Sequence, residues 1–595
     1  MNQENKMKTY EEVDRLVHDV LLHPDFNIQD LRNFIAKCEH NRFNSYIKSP
    51  ANQNNTKSMD GWHEGSVKIK LPPEDGKRRA KGEAEAPEFE VGSINYRPIL
   101  ETVYKALDDP EASAFHYTPY QELWKPDYLS EAERIYGELY SSDIWLESHE
   151  EIQRLPRINE VDNFVLPILL YSDSTHLTNF GSASLWPFYM FLGGHSKYLH
   201  CKSAESTCNH LAYIPLLPHN IQDVYKRHYG RAASSQALTH LRRELMQAVL
   251  SLAVLQPDFL NAYKNGFLFL CCDGVHRRLF PRIMVYSADY PECMLVASLK
   301  TMGAFPCASC EIPNKFIHML RTRADEQRKA HKHIDNEAKQ DKDCLGPYSL
   351  IPTRNAFSSL SKFGFNFHDM FTPDLLHEFE LGVWKSIFIH LIRIIVAEGG
   401  DLISTLNIRY RLIPPFGRST IQCFPQSTAA MTKLAGRDYE DILQCSIPVF
   451  EGMLRNEKHT KIILDLLFAL NTWHALTKLH LHTDTTVRIF ENATRDLGRQ
   501  VWIFKKEIAG YNTRELPKEV EARGHRRAVV RRTCLYRTQI GESQHKHVKH
   551  MFGRTNKQNA ARDVAKVEGR GRQLRDLKRR IEHTQQLGNA APDAF

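Results

Sequence analysis

Two near-continuous apolar runs, each followed closely by an aspartate, constrain the fold of this chain most strongly. Phe164–Tyr171 leads to Asp173, and Arg282–Tyr286 leads to Asp289. Apolar runs of this length are typical of strands that are buried on both faces of a mixed sheet. A carboxylate directly after such a strand is held at the rim of the sheet, where it can bind a divalent cation. An aspartate in this place more often caps a turn or a helix, so the pattern alone leaves both roles open.

Other patterns extend this sheet and place a helical block after it. Strands are predicted at Trp186–Leu192, Leu211–Leu217 and Phe267–Cys272, and helices at Pro98–Leu107, Ser130–Leu139 and Gln236–Leu255. After Cys310 the apolar spacing is helical over Leu375–Ala397, Tyr439–Leu454 and Lys461–Leu479. We interpret Asp273 and Gly274 as a hairpin turn between the last two strands, while a metal-binding role for Asp273 stays open.

These patterns divide the chain into four segments. Residues 1–93 combine short amphipathic helical patterns with a polar stretch, residues 49–95, that is predicted to be an unordered linker. Residues 94–313 are predicted to form an α/β mixed-sheet core, residues 314–510 a large all-α insertion, and residues 511–595 a basic helical C-terminus. The basic cluster Lys77–Lys81 in the linker is a candidate nuclear import signal, although such clusters are also common in linkers.

Charge is distributed unevenly along the chain. The net charge is +7, yet residues 521–580 alone contain 18 Lys and Arg against 5 Asp and Glu. A concentrated basic segment favours a polyanionic partner such as DNA, because each phosphate contact releases condensed counterions. A solvated tail would have the same composition, so charge alone does not decide between the two.

Several classes of protein are excluded or disfavoured. No apolar run approaches the ~18 residues of a membrane-spanning helix, so no membrane partner is expected. The 12 cysteines are scattered, as is usual in a reducing intracellular compartment. The sequence contains no phosphate-binding glycine loop, dinucleotide-binding motif or nucleophile elbow.

One cysteine pair has the spacing of metal ligands. Cys307 and Cys310 can place two thiolates on a tight turn, but a zinc ion needs four ligands. The pair is therefore either half of a zinc site or two structural thiols. The histidines His474, His480 and His482 lie far along the chain from this pair, and we interpret them as helix-face or interface residues.

Five motifs follow one another in the chain. They are Tyr171–Thr175 with Asn179–Gly181, Cys272–Arg278 with Tyr286–Glu292, Cys307–Cys310 with Ile312 and Pro313, Pro373–Lys385, and Thr538–Glu542 continued by His545, Lys549 and residues 554–557. In this order they resemble the motifs of Plavaka transposases, which are found in fungal genomes and are similar to the CACTA group. The resemblance extends from about Ile94 to Arg580.

This resemblance implies a DDE-type DNA transposase with a ribonuclease-H-like core. Asp173, Asp289 and Glu542 would bind two Mg²⁺ or Mn²⁺ ions and catalyse cleavage and strand transfer at transposon ends. The helical insertion would lie within the 253 residues that separate Asp289 from Glu542. Glu542 is expected to begin a helix that reaches Phe552, where a carboxylate could also act only by complementing the helix N-terminus.

The resemblance also implies DNA as the partner, a homodimer or higher assembly that pairs two ends, and a nuclear location. The candidate DNA-contacting residues are all basic and lie in the C-terminal segment: Arg526, Arg527, Arg531, Arg532, Lys546, Lys549, Arg554 and Lys557.

The chain departs from the family pattern before the third acid. There the family is expected to supply two histidines that complete a zinc site with Cys307 and Cys310. In this chain, His525 and Cys534 are the only possible zinc ligands within residues 524–534. We therefore expect well below one zinc per chain, an irregular connector over residues 511–537, and Glu542 farther from Asp173 than Asp289 is. The alternative function is that of a degenerate copy, a non-catalytic DNA-binding or chromatin protein. A structure-selective nuclease is a third, weaker interpretation.

Overall fold

The computed structural model describes most of the chain between residues 61 and 589. The described residues are 61–73, 85–128, 131–177, 184–202, 207–319, 326–330, 348–417, 420–430, 434–517, 519–520, 539–553, 555 and 559–589, with 14, 16–22, 24, 26–32, 35, 38 and 42. For residues 539–543 and 576–589 only the backbone is described. The chain divides into two compact units, residues 62–568 and residues 1–61 with 569–595.

The strands of the larger unit range from 2 residues in β6, β7 and β12 to 12 residues in β11. They are β1 (His63–Lys70), β2 (Glu88–Tyr96), β3 (Glu122–Trp124), β4 (Glu133–Tyr136), β5 (Asn163–Ser172), β6 (Thr175–His176), β7 (Ser184–Leu185), β8 (Pro187–Leu192), β9 (Asn209–Tyr213), β10 (Phe267–Leu270), β11 (His276–Ser287) and β12 (His482–Thr483). Seven of them form a sheet in the order β1-β2-β9-β8-β5-β11-β10. Only the central pair β5–β11 is parallel, so the sheet is mixed.

The first seven α-helices are interspersed with the strands of the sheet, and the later ones follow it in the chain. They are α1 (Ile99–Leu107), α2 (Asp143–Gln153), α3 (Lys197–His200), α4 (Ile221–Tyr229), α5 (Ser235–Ala253), α6 (Pro257–Asn265), α7 (Tyr290–Val296), α8 (Lys385–Glu398), α9 (Leu402–Arg411), α10 (Gly436–Gln444), α11 (Ser446–Phe450), α12 (Glu457–Thr477), α13 (Asp484–Glu507), α14 (Gln539–Gly553) and α15 (Ala560–Asn589). A π-helix, Leu375–Trp384, runs directly into α8.

Helices cover both faces of the sheet. Alternate residues of β5, such as Leu166 and Ile168, point into the core that contains α5, whose Leu241 is fully buried there. The intervening residue Tyr171 and its neighbours face α14 and α15, which contribute Val548 and Val564. Because both faces are covered, β5 consists almost entirely of buried residues, as its continuous apolar run predicts.

The predicted linker over residues 49–95 is wrong for the part that the structure describes. Strands β1 and β2 pair with each other and join the main sheet through β9. Val67, Ile69, Phe89 and Val91 are buried at every second position, which is the period of a strand with one face on the core. This alternation is short, and the charged and polar residues of the exposed face gave the segment the composition of a linker.

The predicted helix over Ser130–Leu139 is also wrong. The segment contains β4, which pairs with β3 on one side and with β12 on the other. Over only ten positions, an i, i+4 spacing of apolar residues does not exclude a strand. The strand forms here by pairing with β12, which lies more than 340 residues further along the chain. The pairing connects the sheet region with the helical block.

The helical block has its own core. Phe388, Leu391, Tyr439, Leu466 and Leu470 are buried together in it. Helix α12 packs along α13, and β12 forms the connection between them. The three helical patterns predicted after Cys310 therefore correspond to helices, with the first beginning as the π-helix and the second broken into α10 and α11.

The end of α15 and the N-terminal segment form the smaller unit. Its described elements include a π-helical turn at Leu16–Leu21 and a 3₁₀ turn at Ile28–Leu31, which the side chain of Asn27 caps. Within the larger unit, Glu568 near the start of α15 forms a buried ion pair with Arg97 and accepts a hydrogen bond from Trp62 Nε1 at 2.9 Å.

Among the helices that the structure describes, none combines the length and the apolar character needed to cross a bilayer.

Candidate active site at the carboxyl ends of two parallel strands

The parallel pairing of β5 with β11 places two aspartates at the same end of the sheet. Ser287 pairs with Tyr171, so Asp289 and Asp173 each lie two residues beyond this last pair. Both aspartates are buried, with 4% and 1% of their surface exposed. Two strands that pair side by side keep residues at matching register close together, so the two carboxylates occupy one rim of the sheet.

Asp289 also caps helix α7. Its Oδ1 accepts a hydrogen bond from the backbone N–H of Glu292 at 2.8 Å, and the turn continues through Pro291. The cap explains why the chain turns from strand to helix at this point. It does not remove Asp289 from consideration as a metal ligand, because its second oxygen is not used by this bond.

Glu292 is a third buried carboxyl group at this end, and the sequence analysis did not single it out. Its Oε1 accepts hydrogen bonds from Ser172 Oγ and from Trp186 Nε1, the latter at 2.9 Å. Ser172 Oγ in turn lies 2.6 Å from Tyr286 Oη. The spacing of Asp289 and Glu292 is that of a helix N-cap followed three residues later by a glutamate, which is the signal that could have identified it.

Burial and like charge shift the acidity of these groups. Burial raises the pKa of Asp289 to about 6, against the lowering effects of the Glu292 N–H bond and of His377. Burial, and then the negative charges of Asp289 and Asp173, raise the pKa of Glu292 well above its usual range. Glu292 therefore responds to both aspartates, and a cation bound among the three would relieve their repulsion.

The motif Pro373–Lys385 brings a further acidic group, Asp374, to the same rim. Phe371 forms an isolated parallel bridge with Tyr286 of β11, and Asp374 follows three residues later. Asp374 caps the π-helix by accepting from Leu376 N–H at 3.0 Å, and its Oδ2 lies 2.6 Å from His377 Nδ1. The negative charge of Asp374 contributes to the raised pKa of Asp289, after burial. The His377 imidazole thus contacts the carboxylate of Asp374, whose charge acts on Asp289.

Helix α14 brings the C-terminal motif to Asp173. Its His545 is buried, and His545 Nε2 lies 3.4 Å from Asp173 Oδ2. Tyr171 Oη, on the same face of the sheet, lies 3.5 Å from the same oxygen. Glu542 belongs to this helix, as predicted, but its side chain lies outside the described part of the structure.

The cysteine pair lies on a turn after α7. Cys310 N–H donates to Cys307 Sγ at 3.4 Å, and hydrogen bonding with the Cys310 thiol lowers the pKa of Cys307 to about 6. Within the described residues, the single cluster of three candidate metal ligands is Glu380, Glu440 and His474, which does not include the cysteines. The segment of residues 524–534, where histidine ligands were expected, lies outside the described residues. Of the predicted connector over residues 511–537, the structure describes only residues 511–517, 519 and 520.

The other candidate residues occupy different surroundings. Asp273 closes the β10–β11 hairpin by accepting from Val275 N–H and from Arg277, and Gly274 follows it with φ +76°, so the turn interpretation holds. His474 is buried against Glu380 of the π-helix, and His480 stacks on Tyr198. Of the candidate DNA-contacting residues, Lys546 is exposed and Lys549 partly buried, whereas Arg526, Arg527, Arg531, Arg532, Arg554 and Lys557 lie outside the described residues.

Comparison with known protein families gives a match. No curated protein matches the chain. A family model described as Plavaka transposase matches residues 54–392, a range that contains Asp173, Asp289, the cysteine pair and Asp374. Strands β1 and β2, which lie before the predicted core, are also inside the matched range. Since this range covers more than half of the chain, the protein belongs to the Plavaka transposase family.

Proposed function

We propose that this chain cuts and joins DNA at the ends of its own transposable element, with Asp173, Asp289 and Glu542 as a DDE-type set of metal ligands. The observation that carries the proposal is the burial of Asp173 and Asp289 at matching positions beyond the adjacent parallel strands β5 and β11. Two rigid carboxylates on neighbouring strands, with a third from a helix, suit a site for two divalent ions.

The strand order supports a ribonuclease-H-like core as part of this proposal. Strands β5, β8 and β9 form an antiparallel meander, and β11 lies parallel to β5 on its other side. In such a core the first acid follows the first strand of the meander and the second acid follows the parallel neighbour. Asp173 and Asp289 have these two positions.

The chemistry of the donor set fits Mg²⁺ or Mn²⁺. The groups at this rim are carboxylates, and hard divalent cations prefer oxygen ligands. Bound ions would activate the attacking oxygen and stabilise the leaving oxygen during phosphodiester cleavage. The protein itself supplies orientation: the N-cap bond fixes Asp289, while Tyr171 and His545 are positioned beside one oxygen of Asp173.

Helix α14 supports Glu542 as the third acid. His545 of this helix reaches Asp173, and residues three apart lie on the same face of an α-helix. Glu542 belongs to the same helix, three residues before His545, and we infer that it supplies the third acid.

We further propose that the protein acts on DNA in the nucleus as a homodimer or higher assembly, because two transposon ends have to be paired. The basic residues of the C-terminal segment would contact phosphates, which position DNA without reading its sequence. Cleavage by water would release a 3′-hydroxyl, which would then attack the target DNA.

A second candidate function is that of a non-catalytic DNA-binding relic. The observation in its favour is in the sequence, where residues 524–534 offer only His525 and Cys534 to complete a zinc site with Cys307 and Cys310. Loss of a structural zinc would loosen the region around the pair, since such an ion can contribute about 10 kcal/mol or more to folding.

The test uses the full chain and duplex DNA from both ends of the genomic element that encodes it. Asp173→Asn and Asp289→Asn should abolish Mg²⁺-dependent cleavage while DNA binding persists, because basic residues elsewhere make the phosphate contacts. Asp273→Asn is the matched control, since Asp273 also follows a strand but is engaged in a turn. Its cleavage rate should equal that of the unaltered protein.

Unaltered protein that binds the DNA but does not cut it with Mg²⁺ or Mn²⁺ would establish the relic instead. Cleavage that persists in Asp173→Asn or Asp289→Asn would remove these residues from the site.

A further inference from the structure

A second group of buried ionisable side chains lies in the helical block, outside the carboxylates that follow β5 and β11. Glu380 comes from the π-helix, Glu440 from α10 and His474 from α12. One ligand atom of each residue lies within 4.8 Å of the others. All three are buried, with 1%, 6% and 2% of their surface exposed. Three separate elements therefore converge on one small polar volume.

One oxygen of Glu380 is buried there without a partner. Glu380 Oε1 lies 3.0 Å from His474 Nε2 and 2.9 Å from Lys478 Nζ. Glu380 Oε2 has no hydrogen-bond partner among the described residues. A buried acceptor of this kind costs about 1–3 kcal/mol, and more when it is charged, so natural structures leave few of them. The unsatisfied oxygen makes Glu380 a candidate ligand for a group bound in this volume.

The charges of the cluster do not balance. Glu380, Glu440 and Asp441 supply three carboxylates, against the two cationic side chains Lys478 and Arg437. Counting these five groups as charged, and His474 beside Glu380 as neutral, leaves one negative charge in excess. Replacing the Lys478 ammonium by a divalent ion would bring the sum to zero. Lys478 caps the end of α12 and its side chain is 29% exposed, so it can turn outward to solvent.

The start of α10 packs closely against the π-helix beside the cluster. A β-carbon at Gly436 would lie 2.2 Å from Leu376 Cδ1 and 3.8 Å from Glu380 Oε2, so glycine lets the start of α10 pack against the π-helix. The ten-residue π-helix itself is unusual, because π-helical geometry is rare, and it is frequently found at functional sites.

We propose that Glu380, Glu440 and His474 form a binding site for one divalent transition-metal ion, and that Lys478 occupies the ion's place when none is bound. One imidazole and two carboxylates are a ligand set for Zn²⁺, Mn²⁺ or Co²⁺, with further positions open to water. The ion would join the π-helix to α10 and α12. The site is separate from the proposed catalytic ions and does not depend on transposase activity.

The experiment titrates Co²⁺ into full-length protein in which Cys307→Ser and Cys310→Ser exclude thiolate binding. Visible absorption of bound Co²⁺ reports the ion, and circular dichroism reports the fold. We expect Glu440→Gln and His474→Asn each to remove one bound equivalent, while Asp173→Asn leaves that equivalent in place. Retention of the full stoichiometry in Glu440→Gln and His474→Asn would overturn the proposal.

Lys478→Met tests the site without removing a ligand. If Lys478 competes with the ion, this variant should bind Co²⁺ at least about tenfold more tightly and regain thermal stability when Co²⁺ is added. Lys461→Met is the matched control, because Lys461 lies on the same helix in an exposed pair with Asp465. Its affinity should be unchanged. A Lys478→Met protein that is destabilised and does not recover with Co²⁺ shows a purely structural ion network and refutes the metal site.

Discussion

Replacing Asp289 by Asn should stabilise the metal-free protein while it abolishes cleavage. The asparagine Oδ1 can still accept from Glu292 N–H, so the cap of α7 is kept. What the substitution removes is a buried carboxylate whose ionisation opposes folding. Asp289→Ala is the matched comparison, because it removes both the charge and the cap, which is worth about 1 kcal/mol.

The magnitude follows from the pKa of Asp289. Burial raises it from an ordinary value of 3.8 to about 6. Each tenfold change in acid constant corresponds to about 1.4 kcal/mol, so keeping Asp289 ionised above pH 6 costs the folded state at most about 3 kcal/mol. Because the pKa of Asp289 is higher in the folded state than in the unfolded state, the folded protein loses stability as the pH rises from about 4 to 6. Below pH 4 the carboxyl group is protonated in both states.

Urea denaturation in EDTA measures this effect. At pH 7.5 Asp289→Asn should be about 2–3 kcal/mol more stable than the unaltered chain, and at pH 4 the difference should be well under about 1 kcal/mol. Added Mg²⁺ should stabilise the unaltered chain and not the variant. An equal free energy of unfolding for the two proteins at pH 7.5, or a gain that is the same at both pH values, would refute the reasoning.

Three further predictions concern other parts of the fold. Glu568→Ala should cost about 3–5 kcal/mol in urea denaturation, because it removes the carboxylate from the buried pair with Arg97; a cost under about 1 kcal/mol would contradict the burial of this pair. Gly194→Ala should cost about 1–3 kcal/mol, since a β-carbon there would lie 2.3 Å from Phe115 Cζ, whereas Gly92→Ala, with nothing within 4 Å, should be nearly neutral. The rate of Cys307 alkylation by iodoacetamide, measured by mass spectrometry, should decrease with a midpoint near pH 6 as the pH is lowered, because the reactive thiolate persists down to that pH. A midpoint near pH 9 would show that Cys310 does not stabilise the thiolate.

The central sheet could be predicted because its signal is local. Phe164–Tyr171 and Arg282–Tyr286 are apolar over most of their length, and β5 and β11 lie there. Such runs are read directly from the sequence when a strand is buried on both faces. Strands β1 and β4 were missed because each buries only some of its residues and depends on partners elsewhere in the chain.

The sequence by itself determined which residues could do chemistry: an aspartate after each of two buried strands, and a set of motifs whose family assignment the comparison confirmed. Only the tertiary structure decided which of them meet. The parallel register of β5 and β11 aligns Asp173 with Asp289, and helix packing brings His545, from more than 370 residues later, against Asp173. Glu292 and the Glu380, Glu440 and His474 cluster became visible only there. Burial and proximity between distant segments, which no local pattern encodes, determine the partners of these side chains and raise the pKa of Glu292.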